Sequence, residues 1–334
     1  MRTHRHALGL GLLLALLLIL VPIAAGAGDA PAGASGGPDP EFGSVWHDGK
    51  AELDGYHWSG TRYGQPRQGQ SVMIFVTEPM SKSQRVKVDD PSKNPSDVVD
   101  VLKLNLVRDF QTGIYDYNTM TSIFARTADF TPLKVSFTSA EWCGNVYDEM
   151  RVDPGKIQEE YRSYFEGESG NTELENPADG VLGDALFILL RGLRGDYLPP
   201  GGKKTVPFLA GVFHRRLLHQ PSTWTRAEIE RLPDLATVQV PAGTFSAMTY
   251  VVRTQDGREG RFEVEAAYPH RIVSWSWKPT DAEPPTESTP GQGRWPAGME
   301  RGELAGSARL EYWKLHGNGD ETYLQQLGLR PLPE

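Results

Sequence analysis

The chain has 334 residues and carries 34 Lys and Arg against 43 Asp and Glu, a formal charge of −9. That balance argues against nucleic acid and anionic membrane surfaces as partners, since both demand basic patches. A lone cysteine, Cys143, excludes an internal disulfide, so the fold must hold on packing alone, for which the chain is long enough.

Residues 1–27 differ from everything after them. Arg2, His4, Arg5 and His6 form a basic start, Ala7 to Ala25 is an uncharged Leu-rich run, and Ala25-Gly26-Ala27 supplies a small-x-small cleavage pattern. This is the composition of a secretory signal peptide. The run spans 19 residues, close to the ~20 that cross a bilayer, so an uncleaved anchor over residues 7–25 is the alternative. A bacterial lipoprotein anchor needs a Cys at the cleavage site, and Cys143 lies far downstream. The expected location is therefore periplasmic or extracellular, with the membrane reached only through that segment. Loss of the two n-region arginines takes the mature chain to −11.

Residues 28–41, rich in Gly, Ala, Pro and Ser, read as a flexible linker. An N-terminal β-rich region is expected over residues 42–232. Lys50–Tyr63 alternates loosely, a turn follows at Gly64–Gly69, and Gln70–Met80 is apolar on both faces, as a covered central strand is. A short strand at Arg85–Val88 and a loop at Asp89–Asp97 come next. Val98–Val152 divides into three strand-like runs, with breaks at Thr112-Gly113 and Thr127–Pro132. Leu102, Leu104 and Leu106 alternate with Lys103 and Asn105, the period of a strand with one buried face. Ile157–Glu166 reads as another strand and Gly167–Asn176 as an acidic loop. Asp179–Arg191 has Leu182, Leu186, Leu189 and Leu190 at helical spacing, with Asp179 as its N-cap. Lys203–Leu218 resembles a strand pair, and Ser222–Leu232 one or two helical turns. A C-terminal meander region over residues 233–329 contains Val238–Arg253, Arg261–Tyr268 and Arg271–Lys278. A Pro/Gly/Thr loop at Asp281–Arg301, a strand at Glu303–Leu315 and a short amphipathic helix at Glu321–Leu329 complete the chain. The expected fold class is mainly β: antiparallel meanders forming a curved sandwich or half-barrel, with one or two short helices.

Few residue patterns carry chemistry. A nucleophilic Cys needs a His, a Lys or a helix N-terminus beside it. Cys143 instead has Glu141 two residues away and no His within ten, so a buried structural role is expected. Glu78, Lys103, Asn105, Tyr115, Tyr117 and Glu141 could share one concave face if the meander curls, giving a ligand-binding row of carboxylates, a cation and two phenols. The plain alternative is a solvated sheet face with cross-strand pairs. No metal-ligand spacing, phosphate-binding glycine loop or Gly-x-Ser-x-Gly elbow occurs, so no metal, cofactor or catalytic residue is expected.

Four segments (Tyr63–Pro79, Val101–Asn105, Phe110–Phe124 and Ser139–Gly144) resemble an exported bacterial β-rich protein family of unknown function. Some of its members are labelled septum formation inhibitor Maf. Maf proteins proper carry a Ser-x-Ser-Pro-Arg-Arg motif, which has no counterpart in this chain. Val240–Val252 with Ala267–Trp275 is similar to periplasmic β-rich families that look like lipoprotein- or lipid-binding half-barrels. The resemblance implies a cell-envelope protein that binds an apolar or amphiphilic ligand, such as a lipid, or an envelope protein, and it supplies no catalytic residues. A hydrolase using Glu78 and Glu141, and a scaffold without a small ligand, are the rival expectations.

Overall fold

The structure is a computed structural model that describes residues 40–280 and 298–330. The signal-peptide reading, nearly all of the linker and most of the Asp281–Arg301 loop lie outside the described residues.

Alternation in the N-terminal half becomes an uninterrupted meander. A short helix, α1 (Pro40–Trp46), takes up the end of the expected linker and leads into β1 (Ala51–Arg62) and β2 (Gln65–Ser81). Then come β3 (Val98–Thr112), β4 (Tyr115–Arg126), β5 (Pro132–Glu141), β6 (Gly144–Asp153), β7 (Gly155–Ser163) and β8 (Gly170–Asn176). Each pairs antiparallel with the strand before it. The turn between β1 and β2 is the two residues Tyr63 (φ 55°) and Gly64 (φ 70°), the doubly positive φ that two-residue hairpins favour.

The chain then leaves that edge and crosses the sheet. The crossing includes β9 (Val181–Leu182), the 3-10 turn Gly183–Ala185, helix α2 (Leu186–Leu189), β10 (Lys203–Leu209) and helix α3 (Val212–Leu217). Six further strands return it to the centre: β11 (Trp224–Arg231), β12 (Ala236–Val240), β13 (Gly243–Thr254), β14 (Arg258–Glu265), β15 (Ile272–Pro279) and β16 (Glu300–Leu310). Strand β16 pairs with β1, so the described residues form one sixteen-stranded sheet, antiparallel except where β9 meets β10. The mainly β expectation holds, with the two meanders joined edge to edge in one open sheet.

Strand β1 sits in the middle and is buried on both faces. Glu52, Asp54, Tyr56 and Trp58 point to the inner face; Ala51, Leu53 and Gly55 point outward under the C-terminal 3-10 helix Asp320–Leu327. Gly55 lies opposite Gly306 on β16, and a side chain at either would collide with backbone around Leu327. The inner face carries Met73, Phe75, Leu104, Leu106, Ile123 and Phe137, and residues 181–222 pack over it. Phe187 meets Trp275 and Phe262 edge-on, at 5.4 and 5.5 Å between ring centres. Arg191, fully buried, reaches Glu52 at 2.7 Å, donates to the Pro269 carbonyl from Nε at 3.2 Å and Nη2 at 2.7 Å, and lies 4.3 Å over Phe75. The concavity is thus filled by the chain itself.

Several local expectations give way to pairing. Leu133–Val152 is two strands, with Trp142-Cys143 as the hairpin turn, so Cys143 is exposed where a core position was expected. Ser222–Leu232 holds strand β11, because Ala227, Ile229 and Arg231 bury one side while Arg226, Glu228 and Glu230 take the other. Helix-favouring residues are overridden there by the partners on both sides. The expected helix Asp179–Arg191 shrinks to four residues, Leu186–Leu189, because Val181-Leu182 extend the sheet beside Phe208-Leu209, and Asp179 caps nothing. Lys203–Leu218 gives one strand and helix α3. Gly167–Asn176 contains the edge strand β8, and Arg85–Val88 contributes only a bridge from Lys87 to Met80.

Candidate functional site

The six candidate residues divide by strand parity. Val76 is opposite Lys103, and Asn105 is opposite Ser122, so Glu78, Lys103 and Asn105 face outward. There Lys103 Nζ binds Glu78 Oε2 at 2.8 Å, and Ser122 donates to Asn105 at 2.8 Å. Tyr115, Tyr117 and Glu141 face inward, with Tyr117 paired to Phe110 on one side and Glu141 on the other. The row therefore does not share a face. Glu78 and Glu141, on opposite sides of the sheet, cannot act on one substrate.

The inward three belong to a larger cluster at the end of the sheet where β1–β2, β3–β4, β5–β6 and β7–β8 turn. Its centre is Arg62, which sequence reasoning missed. Arg62 Nε donates to the Tyr117 hydroxyl at 3.1 Å, Nη1 donates to the Leu217 carbonyl at 2.7 Å, and the guanidinium lies 4.3 Å over the Tyr63 ring. The Tyr63 and Tyr117 hydroxyls are 2.8 Å apart. Tyr117 stacks on Phe110 at 4.9 Å, and Phe110 on Trp58 at 4.7 Å. Burial, then the hydrogen bonds to Glu141 and Tyr63, push the Tyr117 phenol up, so it remains protonated at any physiological pH.

Above this cluster the hairpin tips expose large side chains that soluble surfaces normally keep few of. Tyr63 is 57 % exposed, Ile114 79 %, Trp142 69 % and Tyr164 69 %. Tyr115 links the row, its ring 5.9 Å from Tyr117 and 6.3 Å from Trp142, while Tyr164 lies against Gly144. With strands about 4.8 Å apart, the row runs roughly 30 Å from the first tip to the fourth.

Two small cavities flank Arg62. One, of about 20 Å³, lies toward Glu141, Phe165 and His219, with Glu168 held by the Tyr161 hydroxyl at 2.7 Å, Ser163 at 2.8 Å and His219 Nδ1 at 2.5 Å. The other, of about 60 Å³, lies toward Thr61, His214, Arg258 and Glu300. Burial, and then the charges of Arg258 and Arg215, hold His214 down to about 3, so its ring is neutral. Behind α3, Arg216 reaches Asp148 at 2.6 Å and Glu159 at 3.1 Å, which fixes the helix to β6 and β7. Among the described residues no group of three His, Cys, Asp or Glu side chains comes together as a metal site.

A separate groove of about 330 Å³ lies on the outer face among Leu53, Leu310, Leu315, Leu324 and Leu327. None of its lining polar atoms is buried without a partner, which sets it apart from the hairpin end.

Alternation reports faces, so Tyr56, Trp58 and Arg62 could have been placed on one side of β1 from spacing alone. Nothing local to His214, Arg258 or Glu300 brings them to Arg62; the β1–β16 pairing and the crossing segment do.

No protein-family model and no curated protein matches the chain. Among solved structures, a DUF1089 family protein from Pseudomonas aeruginosa is a remote likeness, at 11 % identity and a TM-score of 0.33, over 51 % of this chain and 82 % of that one.

Proposed function

We propose that this is an exported cell-envelope protein that binds an amphiphilic ligand, without catalysis, at the hairpin end of its sheet. The observation that carries the reading is the row of exposed Tyr63, Ile114, Trp142 and Tyr164 on adjacent tips, directly above the polar floor around Arg62. Tyr and Trp present an apolar body and a polar rim, which suits a ligand with both characters. The crossing segment fills the inner face, so the ligand's apolar part lies along the tips and its polar part enters between Arg62 and α3. Native mass spectrometry of the full chain purified from its own envelope tests this. A retained amphiphile, lost when Tyr63 and Trp142 are both changed to Ser, is the expected result. A ligand retained equally by that variant refutes the site, and a consistently bare chain refutes the function.

A further inference from the structure

The cavity beside Arg62 is lined by a donor that the described residues do not satisfy. Arg258 is only 8 % exposed, yet its Nε has no hydrogen-bond partner among them. The one hydrogen bond from Arg258 to another residue's main chain within this region, Nη2 to the Gly298 carbonyl, is long at 3.4 Å. Its guanidinium otherwise lies 4.7 Å over Trp277, a cation–π contact on one face that leaves Nε without a partner. Glu300 is the carboxylate in the lining, and it is already engaged: its Oε1 accepts from Arg108 Nε at 2.6 Å and from Trp58 Nε1 at 3.0 Å. Two guanidiniums, of Arg62 and Arg258, therefore face a space whose only acid among the described residues, Glu300, is paired with a third, Arg108. A buried polar group without a partner is costly, and a charged one more so, so such an arrangement calls for an occupant.

We propose that this cavity binds an oxyanion, phosphate or carboxylate, and that it is the polar head of the amphiphile described above. The inference rests on that reading for the source of the anion but not for the site itself. Arg258 Nε donates to the anion, Arg62 supplies the second charge at the entrance beneath Tyr63, and the neutral His214 ring closes the wall. About 60 Å³ holds one small oxyanion in place of a few waters. The burial that leaves Arg258 short of partners also lowers its pKa to about 10, and an anion reverses that effect. The chain is acidic overall, so this is a local inversion of charge and not a basic surface.

Isothermal titration of the full chain with dodecyl phosphate, inorganic phosphate and dodecyl maltoside separates the possibilities. Dodecyl phosphate is expected to bind one to one, and Arg258→Met to weaken it roughly 10- to 100-fold, the worth of one charge-assisted bond. Arg258→Lys, which keeps the charge but loses the Nε donor, is expected to weaken it only several-fold and guards against a misfolded Arg258→Met variant. Inorganic phosphate that binds in an Arg258-dependent way while neither amphiphile does upholds the anion site and overturns the amphiphile reading. Both amphiphiles binding alike, unaffected by either substitution, upholds the amphiphile reading and overturns the anion site. No binding by any of the three probes overturns both.

Discussion

Arg191 holds the crossing segment to the centre of the sheet, and its removal is the sharpest test of the fold that places α3 beside Arg62. In Arg191→Met the side chain keeps most of its length but loses the 2.7 Å charge contact with Glu52, both bonds to the Pro269 carbonyl and the face-on contact with Phe75. The Glu52 contact is close but not aligned as a hydrogen bond, so the two bonds to Pro269 are the directional part. Two bonds from a charged donor are worth about 1.5–3 kcal/mol each, and breaking a buried ion pair from one side costs about 3–5 kcal/mol. A loss of about 3–5 kcal/mol at pH 7 is therefore expected in urea unfolding followed by tryptophan fluorescence. The loss should shrink at lower pH. Burial, and then the charge of Glu52, already raise Asp54 well above the usual carboxylate range, and Arg191 opposes that rise. Removing Arg191 raises Asp54 further, so the variant's fold takes up this proton at a higher pH than the unchanged fold, and the loss shrinks as pH falls through the interval between those two values. A loss under about 1 kcal/mol at pH 7, or one that grows as pH falls, refutes this account.

Two further outcomes follow from groups with clear neighbours. His214, neutral in the fold down to about pH 3, must stay unprotonated where the unfolded chain would bind a proton, so it makes stability fall as pH drops from about 6.5 toward 3. In urea unfolding across that window, His214→Gln is expected to flatten the slope, and an unchanged slope would remove His214 from the account. Gly55→Ala places a methyl group against the Leu327 backbone, an overpacking that costs about 1–3 kcal/mol. Limited proteolysis should then cut within residues 319–330 faster than in the unchanged chain, and equal rates would mean that the outer face accommodates the methyl.

The parts of the fold that the sequence shows are those encoded by local period. Leu102, Leu104 and Leu106 lie on one side of β3 as their alternation requires, and Phe262 and Val264 do the same on β14. What alternation does not report is where a turn falls, and one misplaced turn changes everything after it. Trp142-Cys143 lies inside a run with no glycine or proline before Gly144, so the strand reads as continuous and the cysteine as internal. In the fold it is a hairpin tip, and its exposure follows from that alone. The helical spacing of Leu182, Leu186 and Leu190 fails for a different reason. Their burial is complete or nearly so in a mixed strand, 3-10 and α path, because a segment enclosed by the sheet needs apolar residues whatever its backbone does.

The division of the polar row shows how much more parity could have yielded. Thr112 pairs with Tyr115 across the two-residue turn Gly113-Ile114, so odd residues of β4 face even residues of β3. Tyr115 and Tyr117 must then join Thr112 and Phe110, and cannot join Lys103 and Asn105. That count needs only the position of the turn, and Gly113 (φ 65°) marks it. The same count along β1 puts Arg62 on the face of Trp58 and Tyr56, hence beside Tyr117, before any coordinates are known. Arg258 allows no such count. It opens β14, nearly two hundred residues after Arg62, and the two meet only because β16 closes onto β1 and carries Glu300 to Gly60. A hairpin-end site whose aromatic rim is local and whose charged floor is assembled by the last strand pairing is half legible by construction. The unsatisfied donor of Arg258 is the half that only the folded chain reveals.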